Sequence, residues 1–208
     1  MQNNNATRIN INFMARGEPL ANKYVIKNYA QIYDLFNATT KCTNLKPKVN
    51  ISTIMPQSFI GHNLFDIFKG NAHIYYSLYT ANSKIRENFM PNACNIKTAL
   101  DNLKDYENKS IALGIKYPIT FHWAIIEGVN DKIEDVLYTA DVLAEYKFKS
   151  KFNLVRYNPH ELSNTSEPSE DKLKQIFNII SKAVGVEDSY IVPRVGKDVS
   201  ASCGMFIK

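Results

Sequence analysis

Three groups of residues in this chain have types and spacings suited to chemistry. Gly17-Glu18-Pro19 follows directly on the apolar run Ile11-Asn12-Phe13-Met14. A strand that ends this way delivers one carboxylate beside bare backbone. Glycine admits close approach of a ligand to the main chain, proline fixes the turn that leads away, and glutamate accepts hydrogen bonds from an amine or a hydroxyl. Taken alone, the tripeptide also reads as a plain strand-to-helix loop. The second group is a series of polar strand ends: Ser52 and Thr53, then Ser77-Leu78-Tyr79, then Glu127-Gly128-Val129-Asn130-Asp131, then Arg156-Tyr157-Asn158-Pro159. Such a ring suits a ligand that carries an amine, a carboxylate, hydroxyls and a base. Taken singly, Ser52, Ser77 and Asn158 read as caps of the helices that follow them; taken in order, they favour a site. The third group is the tail Val195-Gly196-Lys197-Asp198-Val199-Ser200-Ala201-Ser202-Cys203-Gly204. Small neighbours leave the Cys203 thiol accessible, and Arg194 or Lys197 would favour its thiolate. Soft, nucleophilic sulfur is a natural acceptor for an alkyl group. An inert cysteine near a terminus is the other reading.

The elements that must position these groups alternate. Strand patterns at residues 9–14, 49–54, 72–78, 119–126, 152–157 and 189–193 are separated by helical patterns at 22–36, 64–68, 95–113, 131–146 and 168–184. The helix at 22–36 carries Val25, Tyr29, Ile32 and Leu35 on one face. The helix at 131–146 carries Ile133, Val136, Leu137, Ala140 and Leu143, with Asn130 or Asp131 as its N-cap. Pro168 sits in the first turn of the last helix. This alternation predicts parallel strands with helical crossovers, an α/β fold. In such folds ligands bind at the carboxyl ends of the strands, where all three groups fall. No glycine-rich phosphate loop is present.

Composition narrows the function classes. The 208 residues suit one domain, 1–208, ending in a cysteine-bearing tail from about 189. A net charge of +5 permits a nucleic-acid partner without requiring one. Cys42, Cys94 and Cys203 are too sparse for a disulfide framework, and no Cys or His cluster has metal-ligand spacing. No metal site is expected from the residues of this chain. The polar opening is not a signal peptide, and no apolar run approaches the roughly 18 residues that span a bilayer. A cytoplasmic protein without a membrane partner is the expectation.

These motifs, in this order, resemble the RlmN/Cfr family of radical-SAM adenine methyltransferases. The matching stretches are Phe-Met-Ala-Arg-Gly-Glu-Pro-Leu-Ala-Asn (13–22), Ile-Ser-Thr (51–53), Tyr-Ser-Leu-Tyr-Thr-Ala-Asn (76–82), Arg86 with Met-Pro-Asn (90–92), Gly-Val-Asn-Asp (128–131), Asn-Leu-Val-Arg-Tyr-Asn-Pro (153–159) and Asp-Val-Ser-Ala-Ser-Cys-Gly (198–204). The resemblance implies a partial (β/α) barrel that holds S-adenosylmethionine and a 4Fe–4S cluster and acts on ribosomal or transfer RNA. It implies that Gly17 and Glu18 hold the methionine amine, that Ser52, Ser77 and Asn158 contact the ribose or carboxylate, and that Leu78 and Tyr79 border the same cofactor. Cys203 would be the cysteine methylated on the way to an adenine ring carbon, C2 or C8.

Departures from the family pattern matter as much. The cluster motif Cys-x-x-x-Cys-x-x-Cys precedes Gly-Glu-Pro in the family, and only sixteen residues precede it here. The first barrel strand, the cluster loop and the cluster ligands are therefore expected to be missing, with an N-terminal half lying upstream or in a separate chain. Tyr79 stands where the family usually carries histidine. Strand four reads Thr-Phe-His122-Trp123 in place of Thr-Phe-Glu-Tyr, and His122 is expected to be packed rather than catalytic. A non-catalytic or decayed module that keeps SAM or RNA binding is the alternative. An unpaired first strand would also promote dimers or aggregates.

Overall fold

Polar and apolar residues alternate along most of the strand segments, and this period-two pattern gives the sheet two unlike faces. In the computed structural model, which describes residues 6–14, 17–43, 45–159, 164–185 and 188–194, the strands are β1 (Arg8–Phe13), β2 (Lys46–Thr53), β3 (His73–Tyr76), β4 (Ile119–Ala124), β5 (Lys151–Val155) and β6 (Tyr190–Ile191). They lie side by side in chain order, and every neighbouring pair is parallel. With no reversal of strand order, every crossover advances in the same direction around an open, partial barrel.

The crossovers are α1 (Lys23–Thr40), α2 (Leu64–Phe68), α3 (Ser83–Phe89) with α4 (Ile96–Ala112), α5 (Ile133–Tyr146) and α6 (Glu170–Val184). Ile51, Ile74, Phe121, Trp123, Phe152 and Leu154 form the apolar face of the sheet, each 2% exposed or less. Leu100 and Leu103 of α4, Leu143 of α5 and Ile176 and Ile180 of α6 belong to the same buried cluster. Asn12, Asn50, Ser52, Tyr75, His122 and Asn153 alternate with these residues and occupy the other face. There the Asn50 amide donates to Asn12 Oδ1 at 2.7 Å, and the Tyr75 and His122 rings meet edge-on at 5.5 Å.

Helix starts follow side-chain chemistry. Asn22, Asn63, Asn82, Asn95 and Ser169 each accept a hydrogen bond from the first turn of their helix, satisfying donors that no carbonyl can reach. Several sequence expectations need correction. Helix α5 begins after Lys132 without a side-chain cap, because Asn130 and Asp131 are buried and committed elsewhere. Pro168 precedes the Ser169 cap of α6 instead of lying in its first turn. Leu35 and Leu137 are 64% and 46% exposed, so they lie off the apolar stripes to which spacing assigned them. Helix α3 was not anticipated; at seven residues it is too short to show a clear period. No helix among the described residues is long and apolar enough to cross a membrane.

Candidate active site at the carboxyl ends of the strands

The carboxyl ends of β1 to β5 lie at one end of the sheet and are tied together by hydrogen bonds. Gly17 follows β1 with φ +120 and open space where a Cβ would stand, a backbone that L side chains rarely adopt. The next residue, Glu18, caps a single 3-10 turn at Pro19–Ala21. Its Oε1 accepts from the Leu20 amide at 2.9 Å and its Oε2 from the Ile54 amide at 3.0 Å. Glu18 thus joins the loop after β1 to the end of β2. Burial raises its carboxyl above the usual range, while the Thr53 hydroxyl and the two amides pull the other way. Both carboxylate oxygens already serve the protein, and each keeps a further lone pair for a ligand amine.

Ser52 stands opposite Tyr75 in the β2–β3 ladder, and the Ser77 amide extends that ladder by donating to the Thr53 carbonyl at 2.9 Å. Neither serine caps a helix. Leu78 is fully buried. The chain then turns at Tyr79, φ 62, with the Thr80 amide on the Leu78 carbonyl at 2.8 Å and the Tyr79 ring edge-on to Phe89 at 5.2 Å. Two buried side chains hold this turn. Arg86, 4% exposed, donates to the Leu78, Thr80 and Cys94 carbonyls and to the Tyr76 hydroxyl. Asn130, 2% exposed, accepts from the Ile126 amide and donates to the Tyr79 and Ala124 carbonyls, both at 3.1 Å. The ends of β3 and β4 are locked to each other through Asn130. Asp131 accepts from the Gly128 amide at 2.9 Å and pairs with Lys172 of α6.

At the end of β5 the organising group is Glu167, in the segment that leads to α6. Its carboxylate accepts from Arg156, from the Tyr157 amide at 2.8 Å and from Arg194 at 2.6 Å. Arg194 also donates to Asn158 Oδ1 at 3.1 Å. Arg156, one of the charged residues at the strand ends, is bound to Glu167 and Glu170. Asn158 caps no helix. His122 is packed, as expected: burial pushes its pKa down to about 4.

The structure brings Glu18, Ser52, Ser77, Leu78 and Tyr79 to adjoining tips, with Asn158 two strands further round the same end. Cys203 lies outside the described residues. Arg86, Asn130 and Glu167 were missed as organising residues because burial, which makes them decisive, has no local signature.

No family model matches this chain. Sequence relatives are informative. The "Dual-specificity RNA methyltransferase RlmN" of Campylobacter lari is 28% identical over 201 residues, which cover 95% of this chain and 52% of that protein. The chain is similar in sequence to RlmN proteins over nearly its whole length. The RlmN of Lawsonia intracellularis is 26% identical over 198 residues, and the Alkaliphilus oremlandii protein, "Probable dual-specificity RNA methyltransferase RlmN", is 31% identical over 205 residues, 98% of this chain and 56% of its own length. The chain spans about half the length of the RlmN proteins it matches. Among solved structures, a radical SAM methyltransferase from Sphaerobacter thermophilus superposes on 94% of the chain, TM-score 0.69 at 22% identity. A domain of pyruvate-formate lyase-activating enzyme from Bacteroides vulgatus superposes on 88%, TM-score 0.58 at 18% identity. Both share the fold.

The RlmN likeness implies two bound groups. The strand-end residues fit S-adenosylmethionine: an open glycine, a carboxylate with spare lone pairs, two serines and an anchored asparagine offer acceptors and donors for its amine, hydroxyls and carboxylate. The described residues do not fit a 4Fe–4S cluster. Among the described residues no three His, Cys, Asp or Glu side chains are grouped to hold a metal. Cys94 is buried, its thiol pushed up by desolvation, and the three cysteines lack cluster spacing.

Proposed function

We propose that this chain, taken as one domain over residues 1–208, is the S-adenosylmethionine-binding portion of an RNA methyltransferase of the RlmN type. The observation that carries this reading is the RlmN likeness over nearly the whole chain, with Gly17, Glu18, Ser52, Ser77, Leu78, Tyr79 and Asn158 at one end of the sheet. Glu18 and the Gly17 backbone would receive the ligand amine. Ser52, Ser77 and Asn158 would orient its hydroxyls and carboxylate, with Leu78 and Tyr79 bounding the space beside them. When bound, S-adenosylmethionine supplies a methyl group on a sulfonium centre. The finer reading, methylation of an adenine ring carbon (C2 or C8) of ribosomal or transfer RNA with Cys203 as methyl acceptor, rests on the resemblance. It requires iron–sulfur ligands from an N-terminal half or a second chain.

A second reading, a non-catalytic module that binds S-adenosylmethionine or RNA, is favoured by the lack of a metal-holding group among the described residues. Calorimetric titration with S-adenosylmethionine tests what the two share. Saturable binding that is weakened in Asn158→Ala is expected; no heat of binding in the folded protein would overturn the reading. Joining the chain to the cluster-bearing half of an RlmN protein then separates the two. Methylated adenine in RNA supports the enzyme, whereas binding without methylation supports the module.

A further inference from the structure

At the amino ends of the strands, opposite the candidate site, a cavity of about 660 Å³ opens onto the polar face of the sheet. That volume is typical of small-molecule pockets. Arg8, Lys48, Lys116 and Lys151 line it, and no carboxylate does. Among the described residues, Arg8, Lys48 and Lys116 have no salt-bridge partner; Lys151 pairs with Asp188 at 2.9 Å, a carboxylate 64% exposed. Four cations against one exposed carboxylate leave a surplus of three positive charges around one opening.

The fold holds these cations together against their own repulsion. Burial, then Arg8 and Lys151, lower the pKa of the Lys48 ammonium, and an anion in the cavity would relieve that cost. Neutral groups complete the lining. His73 Nε2 lies 2.8 Å from the Thr120 hydroxyl, and burial beside Lys48 and Lys151 keeps the ring uncharged, its pKa near 3. Asn153 is 6% exposed and its amide oxygen has no partner. An amide's oxygen and nitrogen ends are interchangeable in assignment, so it can present a donor to an anion. Tyr117 is flanked by Lys116 and Lys151, at 4.9 and 5.0 Å from its ring.

We propose that this cavity binds a phosphate-bearing polyanion through Lys48, Lys116 and Lys151, with Asn153 as a buried polar contact. Neither the RlmN likeness nor the strand-end residues assign it, and it stands whether or not S-adenosylmethionine binds at the other end. The phosphates can belong to a free polyphosphate or nucleotide, or to a nucleic-acid strand.

The test is calorimetric titration of the folded chain, at fixed physiological ionic strength, with tripolyphosphate, ATP and single-stranded oligoadenylate. Saturable tripolyphosphate binding is expected, weakened about tenfold or more in Lys48→Gln/Lys151→Gln, a loss of about 1.4 kcal/mol. The control Lys84→Gln/Lys174→Gln removes equal charge from exposed helix positions and is expected to bind as the parent does. Lys116→Gln, in a loop, serves if the double variant does not fold. Tripolyphosphate should also raise the melting temperature of the parent but not of the double variant. Oligoadenylate that competes with tripolyphosphate would identify a strand as the phosphate source, and ATP alone competing would identify a free nucleotide; either supports the site. No saturable binding, or equal loss in the control, would overturn it.

Discussion

Glu18 does two jobs that pull against each other. Its carboxylate closes two backbone donors, Leu20 and Ile54, yet sits where burial disfavours its charge. Glu18→Ala leaves both amides unpaired and is expected to cost about 1–3 kcal/mol in urea unfolding. The sign of its pH effect follows from the raised native pKa. The native state holds this proton more tightly than the unfolded chain, so its contribution is full below the unfolded value and is lost as pH rises from 4.5 through the raised value. His73 and His122 act in the opposite sense. Burial lowers them to about 3 and about 4, so the unfolded chain binds their protons first. Their contribution is full above 6.5 and is lost as pH falls from 6.5 toward those values. Two histidines outweigh one glutamate here. The unfolding free energy from urea titration should therefore fall between pH 7 and pH 5, by on the order of 1 kcal/mol per histidine per pH unit. His122→Asn should flatten that fall; an unchanged slope would show that the ring takes up its proton equally in the native and unfolded states.

Between elements, the strand ends are held by buried polar side chains that bridge one loop to the next. Asn130→Ala strands the Ile126 amide and the Tyr79 and Ala124 carbonyls. A loss of about 3 kcal/mol in unfolding free energy is expected. Arg86 is a harsher case, because its planar guanidinium donates to three carbonyls and a hydroxyl. Lysine cannot reproduce that fork, so Arg86→Lys should destabilise nearly as much as Arg86→Met. Both variants should also weaken S-adenosylmethionine binding more than their stability loss explains, because the turn at Tyr79 is freed. Titration under conditions where the variants remain folded checks this, and affinity equal to the parent's would show that the turn holds its shape without Arg86.

The whole sheet is asymmetric at its margins. Among the described residues β1 pairs with β2 alone, and Ile9 is 43% exposed and Met14 38%. An edge of this kind offers unpaired backbone groups and apolar side chains to a second copy. Sedimentation should show concentration-dependent association, reduced in Ile9→Lys, which places a charge on the edge; a parent that stays monomeric at all concentrations would dispose of this prediction. Charge is distributed unevenly as well: cations gather at the amino end of the sheet, whereas at the carboxyl end Arg156 and Arg194 are paired with Glu167 and Glu170.

Much of this architecture is written locally. Period-two runs place the strands, helical spacing places α1, α4, α5 and α6, and the asparagine or serine before a helix marks its start, because a side-chain oxygen there satisfies amides within three residues. The Gly-Glu-Pro turn and the polar strand ends are legible for the same reason: their chemistry and their chain position coincide. Tertiary structure alone decided which polar residues are structural. Asn130 reads as a cap until burial shows it bridging β4 to β3, Arg156 reads only as a charged strand end until its pairing with Glu167 is seen, and the cationic cluster exists only because Arg8, Lys48, Lys116 and Lys151 meet at one end of the sheet. Pairing between residues tens of positions apart is set by strand register and packing, and no local window of sequence carries that information.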